Sequence, residues 1–173
     1  MTDAESARAR ARAIVEYAVG RRPAGILLPV AHVVEVLAAF DLPVVPMRAV
    51  TTVAQAADVA AVLGFPLVLR VPGSPGVEVT SPEQFVAAYP ALPEVLVQAS
   101  VGPTLPALMW PVAFATRVAA LRAALPEIDA LDLVVEVDRA GRTWIVEATA
   151  HVRAEVAADV RAEVSDGAGR GSR

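Results

Sequence analysis

With 173 residues, 55% of them hydrophobic and 20% charged, the chain has material for one domain with a sizeable core. A net charge of -4 and a sequence pI of about 5.2 give no sign of a nucleic-acid surface, and the absence of cysteine excludes disulfides, thiolate nucleophiles and thiolate metal sites. All 15 basic residues are arginine and asparagine does not occur, so a mechanism that needs an ammonium group or an Asn carboxamide is closed to this chain.

Between Ala4 and Val19 the apolar residues Ala11, Ile14, Val15 and Ala18 recur at helical spacing. Arg8, Arg10 and Arg12 form the solvated side of this first predicted helix, and Gly20 suits a C-cap. Pro29, as a first-turn residue, opens a second helix to Phe40 whose stripe is Val33, Val36, Leu37 and Phe40. His32 reads as a partly exposed polar residue near its start. Val44 to Val50 form a short strand that Pro46 places at a sheet edge. Thr52 and Gln55 make a capping box for a third helix, which closes at Gly64. In the following stretch, GFPLVLRV, Leu67 to Val71 read as a strand buried on both faces, with Arg70 as the member that does not belong.

PGSPG (residues 72–76) is a tight turn and VEVT a short returning strand. Ser81, Pro82 and Gln84 supply a second capping box for a helix through Tyr89, and Glu94 to Val101 read as a strand. The Pro-rich segment up to Pro111 reads as a linker, VAFATRVAALRAAL as a helix, and LDLVVEVDRAGRTWIVEAT as a hairpin turning at Asp138 to Gly141. VRAEVAADVRAEV predicts a last helix, and residues 165–173 a flexible tail. Residues 95–116 lack charge, but Gly102, Pro103, Pro106 and Pro111 break any membrane-spanning helix. The N-terminus has no apolar signal core, so a soluble, cytoplasmic protein is expected.

These elements predict an α+β (mixed α/β) fold with a mostly antiparallel sheet flanked by helices. Asp132 and Glu136 share a face of the first hairpin strand and read as solubilising charge; His32 and His151 are far apart in sequence. No Walker-type loop, dinucleotide fingerprint or zinc spacing is present.

ARAIVEYA followed by VVEVLAAFDLPVVPMRAVTTVAQAADVAAVLGFPLVLRV, and later LPEIDALDLVVEVDRAGRTWIVEATAHV, resembles the ATP-grasp domain of NDP-forming acyl-CoA synthetases. The resemblance covers most of residues 8–101 and 117–152. It implies a single ATP-grasp-like domain over residues 1–164, with a first lobe at 22–101 and a truncated second lobe at 112–152. It also implies phosphoryl-transfer ancestry, with ATP and Mg2+ as cofactors.

In that family a lysine contacts the phosphates, and its position falls on Arg70, which can still face a phosphate but is no point ammonium. The glycine-rich loop is cut to PGSPG, and Thr104 stands where a glutamate is expected. Glu94, Val97 and Gln98 correspond to the adenine-lining strand and hinge. On the closing hairpin Glu147 takes the place of the acidic metal ligand, while Val134 replaces the ligating asparagine. No catalytic residue is assigned.

Three functions remain open. The first is a degenerate domain with at most weak ATP binding and a regulatory or accessory role. The second is an active ATP-dependent acyl-CoA ligase subunit. The third is a non-enzymatic interaction module that meets an acyl-CoA synthetase-type partner, or a second copy, through residues 103–114. An open cleft holding Arg70 and Glu147 favours nucleotide binding; a cleft filled by Trp110, Phe114 or Trp144 opposes it.

Overall fold

In the computed structural model, which describes residues 2–71, 74, 76–89, 95–107 and 109–154, the helices begin where their caps are. Helix α1 (Asp3–Arg21) follows Thr2, whose hydroxyl accepts from the Glu5 N–H while the Glu5 carboxylate accepts from the Thr2 N–H. Helix α2 (Val30–Ala38) has Pro29 as its N-cap, one position before the first turn. Thr52 caps α3 (Val53–Leu63), and Gly64 ends it at φ 74, a conformation that favours glycine. Ser81 caps α4 (Pro82–Ala88), and α5 (Val112–Ala124) follows Pro111. Gln55 and Gln84 each reach one residue further back than a capping box requires, accepting from the N–H of Thr51 and Thr80.

Among the described residues, eight strands form two antiparallel sheets. They are β1 (Ile26–Leu27), β2 (Met47–Val50), β3 (Leu67–Arg70), β4 (Val77–Val79), β5 (Val95–Ala99), β6 (Thr104–Pro106), β7 (Ile128–Asp138) and β8 (Thr143–Val152). One sheet has the order β2-β5-β3-β4 and the other β1-β8-β7-β6. The α+β class and the antiparallel pairing follow the sequence expectation, and β2 is an edge strand as expected, though it begins at Met47 and leaves Pro46 outside.

Four details depart from the expectation. The Pro-rich linker contains β6, which pairs with β7, and the segment before α2 contains β1, which pairs with β8. Strand β3 is not buried on both faces: Leu67 and Leu69 are buried while Val68 and Arg70, on the other face, are only half-buried. The arginine side of α1 is not purely solvated, because Arg12 hydrogen-bonds Glu127 and the Ala124 carbonyl, and Arg8 stacks over the Phe40 ring. The expected last helix and tail lie outside the described residues beyond Ala154, as does most of PGSPG.

Each sheet has its own core. Helices α1, α2 and α5 cover β7 and β8 with Leu37, Leu121, Leu125, Ile145 and Val152 fully or nearly fully buried. Helices α3 and α4 cover the other sheet over Ala56, Ala60, Leu67, Phe85 and Val97. A small third cluster of Val45, Met47 and Val146 lies where the sheets meet. Strand β1 pairs with β8, and α2 packs into the same core as the closing hairpin. Among the described residues no helix is long and apolar enough to cross a membrane.

Candidate functional site

Strand alternation decides what faces the gap between the sheets. Because Leu67 and Leu69 point into the helix-covered core, Val68 and Arg70 point the other way, beside Gln98 of β5 and Glu78 of β4. Across the gap stand Glu136 of β7 and Val146 of β8, and the connection from β5 to β6 closes one end with Ser100, Gly102, Pro103 and Thr104. The resulting cleft has a volume of about 480 Å³. None of Trp110, Phe114 and Trp144 lines it.

Gln98 fixes the floor. Its side chain is 2% exposed, and Nε2 donates to the Val146 carbonyl at 2.6 Å and lies 3.8 Å from the Met47 sulfur. The β7–β8 register explains why that carbonyl is available: Val134 faces Glu147 and Val135 faces Ile145, leaving Val146 as the extra residue of a bulge. Val45 donates its N–H to the Ile145 carbonyl, and Ile145 its own to the Pro43 carbonyl, so the same point on β8 also holds the approach to β2.

Arg70 lies against one wall, its Nη1 3.6 Å from Glu147 Oε2 and 3.5 Å from the Ser74 carbonyl. Its Nε is buried without a hydrogen-bond partner. The close packing depends on Gly76, where a Cβ would stand 2.4 Å from Val68 Cγ1 and 3.4 Å from Arg70 Nη2. Glu78 Oε1 accepts from Ser100 Oγ at 2.6 Å, and Glu136 Oε2 accepts from Thr104 Oγ1.

Of the residues singled out from sequence, the fold brings Arg70 and Gln98 to the cleft, and Glu147 reaches Arg70 from β8 without itself lining the cleft. Thr104 joins them on the rim. Val97 goes the other way: its side chain is 0% exposed in the core under α3 and α4, and so does not face the cleft. Glu94 lies outside the described residues. Glu78, Ser100 and Glu136 were not foreseen as site residues. Sequence alone reads Glu136 as a solubilising charge, and the signal for Glu78 is its place opposite Val68 in the β3–β4 hairpin.

Further polar clusters lie on β7 and β8, outside the cleft lining. Asp138 accepts from Trp144 Nε1, from the N–H groups of Arg142 and Ala140 and from Arg142 Nε. These bonds, that of Trp144 foremost, hold its carboxyl down at about 2. Asp129 lies in a second register shift of β7, its Oδ1 2.6 Å from His151 Nδ1 and its Oδ2 3.0 Å from Arg153 Nε. The hydrogen bond with His151 and the positive charge of Arg153 keep its carboxyl below the ordinary range.

No family model matches the chain and no curated protein matches its sequence. Among solved structures it is similar to a RimK domain protein ATP-grasp from Sphaerobacter thermophilus, with 18% identity, a TM-score of 0.48, and coverage of 69% of this chain and 58% of that one. It is also similar to N5-carboxyaminoimidazole synthetase from Staphylococcus aureus, with 12% identity, a TM-score of 0.49, and coverage of 68% and 42%. The N5-carboxyaminoimidazole ribonucleotide synthetase from Thermotoga maritima gives 12% identity, a TM-score of 0.49, and coverage of 84% and 48%. The chain thus matches 58%, 42% and 48% of the lengths of these structures.

Proposed function

We propose that the chain is an ATP-grasp-like domain related to NDP-forming acyl-CoA synthetases, that it holds a nucleotide weakly between its two sheets, and that its role is accessory or regulatory. The observation that carries this reading is the Arg70–Glu147 ion pair at 3.6 Å beside an open cleft between two antiparallel sheets. The guanidinium is the group able to meet a phosphate, and the volume lies within the roughly 300–1,000 Å³ of small-molecule sites.

Mg2+ does not fit the residues present. The Glu147 carboxylate is engaged by Arg70, its cross-strand neighbour is Val134, which offers no side-chain oxygen, and among the described residues no three His, Asp or Glu side chains converge on one point. Phosphoryl transfer depends on charge neutralisation at the transferring group, so this donor set favours binding without turnover.

The test follows the melting temperature of the full chain with adenosine, AMP, ADP and ATP. At ten times Kd a ligand adds about 1.4 kcal/mol, a rise of roughly 3–6 °C for a chain of this size. Arg70→Ala should shrink the rise given by the phosphorylated members. If none of the four shifts the midpoint, the nucleotide reading is wrong. Hydrolysis or ligation with Mg2+, CoA and an acyl substrate would instead favour the ligase subunit.

The exposure of Leu105 (73%), Met109 (85%) and Val112 (83%) favours a second reading, in which residues 103–114 contact an acyl-CoA synthetase-type partner or a second copy. Phe114 takes no part, because it is buried in the core under α5. Sedimentation velocity over a hundredfold range of concentration, with and without an added synthetase subunit, tests it. Association should be lost in Leu105→Glu combined with Val112→Glu, and a monomer under every condition refutes the interface.

A further inference from the structure

The ionisable groups of the cleft sum the wrong way for a polyphosphate. Among its described lining residues Arg70 is the one cation, and it is already engaged by Glu147. Glu78 and Glu136 bring two carboxylates from opposite walls, so the lining is net negative before Glu147 is counted. No converging donor set for a divalent cation offsets this excess among the described residues.

The same two carboxylates are oriented rather than loose. Ser100 Oγ donates to Glu78 Oε1 and Thr104 Oγ1 donates to Glu136 Oε2, each bond engaging one of the two oxygens. An ionised carboxylate only accepts, so it suits ligand hydroxyls and amino groups and repels phosphate oxygens. Val45, Val68, Val101 and Val146 supply apolar lining to the same cleft.

We propose, resting on the nucleotide reading of this cleft, that it selects a low-charge, hydroxyl-bearing ligand of the nucleoside class and disfavours the triphosphate. The ligand's sugar hydroxyls donate to Glu78 or Glu136 and its base lies against the valines, while Arg70, shared with Glu147, offsets at most one phosphate charge. The weakness of nucleotide binding is then a matter of sign rather than of a lost pocket.

Calorimetric titration of the full chain with adenosine, AMP, ADP and ATP, with and without Mg2+, tests this. Affinity should fall roughly threefold for each added phosphate charge at low salt. The spread should narrow at about 1 M salt, where the screening length is about 3 Å. Glu78→Gln combined with Glu136→Gln should weaken adenosine and flatten the series; if that variant does not fold, the ranking and salt response of the unaltered chain decide. ATP binding as tightly as adenosine or tighter, with or without Mg2+, overturns the proposal and leaves the nucleotide reading standing. Failure of all four ligands to bind overturns both.

Discussion

Gln98 and Asp138 show how single side chains hold this fold. The Gln98 carboxamide reaches across to the Val146 carbonyl from an almost fully buried position, so Gln98→Leu leaves that carbonyl without its partner. The expected cost is about 1–3 kcal/mol, read from the shift of a urea transition. Asp138 ties four donors of the β7–β8 turn, and its folded pKa of about 2 lies below the roughly 3.9 of an unfolded aspartate. Its contribution is therefore present above pH ~4 and is lost as the pH falls towards about 2. Asp138→Asn should flatten stability over that window, and a profile that keeps the same slope in the variant would refute the assignment. At this scale the sequence was partly legible. Arg70 drew attention because an arginine fits poorly in a strand buried on both faces, and the puzzle dissolves once β3 is seen to bury only one face. Val97 was placed at the site because its strand faces could not be told apart in an apolar run, and Glu78 was missed because its importance lies in pairing across a hairpin.

Elements were most legible where side chains cap them. Thr52 and Ser81 each accept from the N–H three residues on, and helices α3 and α4 begin where these signals stand. Thr52→Ala should cost about 1 kcal/mol, Ser81→Ala about the same, and the two should add, because they cap different helices. Thermal melts of the single and double variants check this. The strands that escaped prediction, β1 and β6, are two and three residues long, too short for alternation to register, and β6 ends in a proline. They exist because β8 and β7 offer them edges, which is tertiary information.

For the whole molecule, the order of strands was beyond local pattern. Strand β5 lies between β2 and β3, which precede it in the chain, and the closing hairpin collects β1 from near the start. The two cores meet at Val45, Met47 and Val146, and the Gln98 bond crosses the same point, so the halves should unfold together. Both tryptophans, Trp110 and Trp144, lie outside the core that holds Phe85. Phe85→Ala should cost about 3–5 kcal/mol, and if the halves are coupled the tryptophan fluorescence midpoint will move with the far-ultraviolet one. A fluorescence transition left in place would mean two independent units.

Gly76 offers a way to separate form from charge. With no side chain it lets Val68 and Arg70 lie close against the backbone, and it sits on the wall of the cleft. A larger residue there acts as a plug, crowding these neighbours while adding and removing no ionisable group. Gly76→Val is thus a steric counterpart to the charge substitutions: a ligand held by the electrostatic field alone would tolerate it, whereas one seated in the cleft would be displaced.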